Sequence, residues 1–126
     1  MVGIVLVSHS KELAEGVEHL LRMMAEHVPV VAAGGLPDGD YGTSFETISD
    51  AIVYADHGDG VLVIMDMGSA VMTAEMALEA LDDVNAKLVD CPMVEGAVAA
   101  SVAAEGGLSL EEVKAAAEDA WEARKL

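Results

Sequence analysis

Apolar and polar positions along the chain follow two periods in alternation. Val2 to Ser8 is an unbroken aliphatic run ending in serine, the pattern of a strand covered on both faces. From Lys11 to Glu26 the spacing becomes helical. Leu13, Val17, Leu20, Leu21 and Met24 share one side, and Glu12, Glu15, Glu18, Arg22 and Glu26 take the other. Val28 to Ala33 predicts a second short strand, and Gly34 to Gly42 is the one long Gly-rich loop. Thr43 and Glu46 have the spacing of a capping box, which opens a helix running to about Tyr54. Gly60 to Asp66 is the third and most hydrophobic strand. Gly68 and Ser69 then open a helix with Met72, Met76 and Leu81 directed inward. A weaker fourth strand near Lys87 to Cys91 precedes an Ala-rich helix from Pro92 to Glu105. Ser109 and Glu112 cap a final helix that closes on Arg124 and Lys125, whose charges suit its negative end.

Strands and helices alternating at this spacing predict an α/β fold, an open parallel four-stranded sheet with helices on both faces. No repeat or linker interrupts residues 1–126, so a single domain is expected. With 53% hydrophobic residues the chain has enough apolar surface for a core, which excludes a disordered protein. The first residues lack the basic segment and long apolar core of a signal peptide, and a cytoplasmic protein is expected. The single cysteine, Cys91, excludes an internal disulfide and reads as a small buried apolar residue.

Charge narrows the choice of partners. Twenty-three acidic residues stand against six basic ones, a net charge of −17, and the acids are spread along the chain. Such a surface repels nucleic acid and anionic lipid, so neither nucleic acid nor membrane is expected as a partner. Dispersed acidity over an ordinary core suggests a halophilic, salt-rich cytoplasm in which screening removes the self-repulsion.

Candidate chemistry lies at the strand ends. In a doubly wound sheet, ligands bind beyond the carboxyl edge where neighbouring connections leave to opposite faces. A strand order of 2-1-3-4 makes strands 1 and 3 neighbours at that point, bringing His9 to Asp66. A carboxylate accepting the Nδ1 proton fixes the imidazole tautomer and leaves Nε2 a free nucleophile. The helix opening at Gly68 and Ser69 offers backbone N–H groups for an anion without any basic side chain. Phosphoryl transfer needs positioning and charge stabilisation of this kind. The plain alternative is that His9 is an ordinary loop histidine and Asp66 a strand-end residue. Thr43 is either a phosphate-side hydroxyl or simply the helix cap. His19, His27 and His57 read as surface histidines. Met65, Met67, Met72 and Met76 read as core or crevice packing, and Trp121 as a core or interface anchor. No metal or cofactor is expected.

Gly3-Ile4-Val5-Leu6-Val7-Ser8-His9-Ser10 followed by Leu13-Ala14-Glu15-Gly16-Val17 resembles the mannose-type enzyme IIA domain of the phosphoenolpyruvate phosphotransferase system. Ala32-Ala33-Gly34-Gly35, Val61 to Ala70 with its Met65-Asp66-Met67-Gly68-Ser69-Ala70 ending, and Pro92-Met93-Val94-Glu95-Gly96-Ala97 extend the resemblance over nearly the whole chain. It implies a four-stranded parallel sheet of order 2-1-3-4 and a homodimer. It also implies a phosphohistidine at Nε2 of His9, charged by the phosphocarrier HPr, with Asp66 hydrogen-bonded to the ring. Met67-Gly68-Ser69-Ala70, where sugar-transporting relatives tend to carry Gly-Gly-Ser-Pro, favours the dihydroxyacetone kinase branch. That branch implies a role in dihydroxyacetone and glycerol metabolism, with the phosphoryl group passing to ADP bound on DhaL, which works with DhaK. The alternatives are the enzyme IIA component of a mannose-type sugar transporter and a non-catalytic assembly domain. A receiver domain would need an acidic cluster after strand 1 and a Lys after a fifth strand. A histidine phosphatase would need an Arg-His-Gly context. The chain has neither.

Overall fold

The computed structural model describes every residue from Met1 to Leu126. The chain runs β1 (Gly3–Ser8), α1 (Lys11–Arg22), β2 (Val30–Gly34), α2 (Phe45–Ala55), β3 (Val61–Met65), α3 (Val71–Ala80), β4 (Ala86–Val89), α4 (Met93–Glu105) and α5 (Leu110–Glu118). Short 3-10 turns precede α3 (Gly68–Ala70) and follow α5 (Asp119–Glu122). The four strands form one parallel sheet of order β2-β1-β3-β4, as the sequence predicts.

That order follows from crossover handedness. A strand–helix–parallel strand connection is almost always right-handed. The chain moves one way across the sheet from β1 to β2, and the other way from β2 to β3 and on to β4. The helix of the first connection therefore lies on the opposite face from the next two. Alternate β1 residues face each layer. Ile4 and Leu6 pack with Val17 and Leu21 of α1, and with Ala100, Ala104 and Val113 of α4 and α5. Val5 and Val7 pack with Ile48 and Ile52 of α2 and with Ala74 and Ala77 of α3. Every residue of β1 is buried, which explains its unbroken apolar composition. No helix is long and apolar enough to cross a membrane.

Several details depart from expectation. The helix from Gly68 does not turn its methionines inward, since Met72 and Met76 are 74% and 53% exposed. Ala70, Ala74 and Ala77 form the buried stripe, because small residues let this helix lie close on the sheet. Ser44, rather than Thr43, caps α2, its side chain accepting from the Thr47 N–H. Helix α1 stops at Arg22, whose guanidinium donates to the carbonyls of Val28 and Val30 at 2.8 and 3.0 Å. Leu13 in its first turn and Met24 beyond its end are exposed. The last helix ends at Glu118, so Arg124 and Lys125 lie beyond its final turn, and Lys125 pairs with Glu95 at 2.8 Å. The Ser109–Glu112 capping box forms as predicted. Trp121 is 58% exposed and no core anchor; its indole N–H donates to the Asp90 carbonyl at 3.0 Å.

Candidate active site

β1 and β3 lie side by side with Val7 level with Met65. Ser8 and Asp66 therefore come level at the carboxyl edge, where the Asp66 N–H donates to the Val7 carbonyl at 3.0 Å. Here the connections part, β1 leading to α1 on one face and β3 to α3 on the other, which is the position where doubly wound sheets bind their ligands. Both ends of the Gly-rich loop are fastened to the same strand end. The Gly35 N–H donates to the Ser8 carbonyl at 3.0 Å and the Gly42 N–H to the His9 carbonyl at 2.9 Å.

The Asp66 carboxylate is held from four directions. Its Oδ2 accepts from the Ser8 hydroxyl and the His9 backbone N–H, each at 3.0 Å. Its Oδ1 accepts from the Met67 N–H at 2.8 Å. Nδ1 of the His9 ring stands 3.1 Å from Oδ1 and 3.3 Å from Oδ2. Burial alone would push the Asp66 carboxyl up. The hydrogen bonds from His9 and Ser8, with the His9 charge, outweigh it and hold the group below its usual 3.8. An ionised acceptor at this position selects the His9 tautomer with its proton on Nδ1.

The other ring nitrogen, Nε2, is not engaged by Asp66. The side chain of His9 keeps 24% of its surface in solvent against 8% for Asp66, and Nε2 lies 2.9 Å from the Ser69 hydroxyl. Ser69 sits in the 3-10 turn that begins at Gly68, and no side chain caps that turn. Its leading N–H groups remain available to an anion. On the β4 side a cavity of about 690 Å³ adjoins Asp66, lined in part by Met65, Cys91, Lys114 and Trp121. Cys91 is buried as expected. Burial, then Asp90 and Glu118, push its thiol up to about 11, so it stays protonated at neutral pH.

Four of the five residues expected at the site, His9, Asp66, Gly68 and Ser69, are brought together. Thr43 makes no hydrogen bond to these residues; its hydroxyl pairs with that of Thr73 on α3 at 3.0 Å. His19 and His57 are exposed, and His27 lies on the surface against Glu105. Sequence reasoning missed Ser8. Its signal was a polar residue at the end of a run buried on both faces, where a hydroxyl needs a partner.

Fold, strand order and the paired histidine and aspartate define a phosphotransferase-system enzyme IIA domain. The family described as "PTS system fructose IIA component" (EIIA-man) matches residues 3–114, and the chain belongs to it. It is 38% identical to the phosphotransferase subunit DhaM of the PTS-dependent dihydroxyacetone kinase of Lactococcus lactis, over 89% of each chain. It is 41% identical to the phosphoryl donor subunit DhaM of the PEP-dependent dihydroxyacetone kinase of Escherichia coli, over 99% of this chain but 28% of that longer protein. Among solved structures, a protein of unknown function, EF1359, superposes with a TM-score of 0.84 at 34% identity, covering 94% of this chain and 93% of the other. The dihydroxyacetone kinase of C. freundii shares the fold over 93% of this chain and 24% of its own, with a TM-score of 0.63 at 16% identity.

Proposed function

We propose that this protein is the phosphoryl donor subunit of a phosphoenolpyruvate-dependent dihydroxyacetone kinase, with a phosphohistidine at Nε2 of His9 as its working intermediate. HPr supplies the phosphoryl group. ADP held on DhaL receives it, and DhaL with DhaK phosphorylates dihydroxyacetone. The observation that carries this reading is the part-exposed His9 ring held through Nδ1 by the Asp66 carboxylate, with Nε2 turned to the Ser69 hydroxyl at 2.9 Å.

The chemistry asks little of the protein beyond that arrangement. The Nε2 lone pair forms a bond to phosphorus as the phosphorus–nitrogen bond of the donor breaks, its electron pair leaving with the donor's ring. The proton on Nδ1 stays in place. The positive charge that builds on the His9 ring is stabilised by Asp66, the part an aspartate plays towards histidine in a catalytic triad. Ser69 and the leading amides of the Gly68 turn receive the phosphoryl oxygens. The dispersed net charge of −17 fits a carrier working in a salt-rich cytoplasm, where screening removes the self-repulsion.

Incubation with phosphoenolpyruvate, enzyme I and HPr tests the reading, with intact-mass detection. An acid-labile phosphoryl adduct on the wild type, and none on His9→Ala, is expected. No adduct under conditions that charge HPr would end the carrier reading. Offering the charged protein either DhaL–ADP or a sugar-transporter IIB domain then identifies the acceptor, with discharge onto DhaL–ADP expected.

A further inference from the structure

Asp66 can serve His9 only if something serves Asp66, and the candidate is the missed residue Ser8. It is fully buried at the end of β1. Its oxygen accepts the Ser10 N–H at 3.0 Å, and Asp66 Oδ2 lies 3.0 Å away on another side. A serine hydroxyl has one proton, and a carboxylate can only accept. With Ser10 donating to the oxygen, that proton is directed at Asp66. The same oxygen ties the strand end to the start of α1, because Ser10 is the α1 N-cap, accepting from the Leu13 N–H at 3.2 Å.

We propose that Ser8 is a positioning residue for phosphoryl transfer: it holds the Asp66 carboxylate aimed at Nδ1 of His9, and through it fixes the tautomer that leaves Nε2 free. The proposal rests on the phosphohistidine reading above. Of the donors on Asp66, the His9 and Met67 amides belong to the backbone and follow its path. Ser8 supplies the one side-chain donor besides the His9 ring, so it is the contact that a substitution can remove while the strand stays intact. Loss of a hydrogen bond to a charged, buried acceptor is felt strongly there. The other titratable groups sharing the cavity with Asp66 are Asp90, Cys91, Lys114 and Glu118. Lys114 is engaged by Glu118 at 3.2 Å. A change at Ser8 leaves all four in place.

Two variants test this. Ser8→Ala removes the donor, and Ser8→Cys keeps a side chain of similar shape with a weak one; Cys alone is read if Ala fails to fold. Two readouts apply: the tautomer of the His9 ring from its imidazole nitrogen signals as a function of pH, and the rate of charging by phosphorylated HPr. Removing the donor is expected to slow charging roughly tenfold at neutral pH. The acid limb of the rate profile should move to higher pH, and the ring should pass from one tautomer to a mixture. A wild-type tautomer in a folded variant overturns the proposal, even if its rate falls along with its thermal stability. If HPr fails to charge the wild-type protein, the carrier reading fails, and the ring signals of the uncharged proteins still decide the role of Ser8.

Discussion

The Ser69 hydroxyl lies 2.9 Å from Nε2 of His9, the ring nitrogen that Asp66 does not engage. It sits at the atom proposed to accept phosphorus. It can donate to the Nε2 lone pair in the uncharged protein and turn to a phosphoryl oxygen afterwards. Ser69→Ala is expected to slow charging by roughly three- to tenfold, the range of one neutral hydrogen bond. Ser69 is exposed, so its stability in urea should stay within about 0.5 kcal/mol of wild type. Quenched-flow charging and urea titration check the two halves.

Asp66→Asn keeps the shape of the side chain but offers one acceptor where three N–H or O–H groups and a ring nitrogen converge. Charging is expected to fall by about a hundredfold or more, through loss of the ionised partner of the ring. Stability should drop by about 1–3 kcal/mol, while the folded circular dichroism spectrum persists. In the wild type the Asp66 carboxyl is depressed, so its stabilisation is fully present above 3.8 and lost only as pH falls through its lower folded value. A carboxyl-carbon titration with a midpoint below 3.8 is the check.

Gly34 ends β2 directly beneath the start of α1. A Cβ built there would lie 2.5 Å from the Ser10 carbonyl oxygen and 2.8 Å from the Lys11 Cα. Both neighbours are backbone, so Gly34→Ala must shift the helix start that follows His9. A loss of about 1–3 kcal/mol in denaturant titration is expected. Slower charging should accompany it, since His9 and Ser10 move together.

The surface pair of His27 and Glu105 sets a local pH response. Nδ1 of His27 lies 2.8 Å from Oε2 of Glu105, and the His27 N–H donates to Oε1 at 2.8 Å. Glu105 raises His27 above 6.5. Glu105 itself is lowered below 4.5, by the His27 backbone N–H and then its ring. The pair is therefore complete between about 4.5 and 6.5. It weakens as pH rises through the His27 value or falls through that of Glu105. His27 signals titrating above 6.5 in the wild type, and returning towards 6.5 in Glu105→Gln, are expected.

Salt should matter more than for an ordinary domain. With a net charge of −17, screening of self-repulsion is expected to raise the thermal midpoint steadily from millimolar to molar KCl. Differential scanning calorimetry across that range checks it, and a flat response removes the halophilic reading.

The sequence by itself determined the order of elements and the type of fold. The aliphatic run through Val7 and the helical spacing of Val17 and Leu21 are local signals, readable because burial imposes a period on each element. The motif around His9 and Asp66 named the pair, and the 2-1-3-4 order inferred with it is the order observed. Tertiary structure alone decided how the site is braced. Which hydroxyl reaches Asp66, and that Thr43 pairs with Thr73 while Ser44 caps α2, depend on strand register and on groups up to 58 residues apart. The burial of Ala74 and Ala77 in place of Met72 and Met76 has the same origin. The closeness of a helix to its sheet is fixed by what lies opposite, and periodicity within one helix carries no record of that distance.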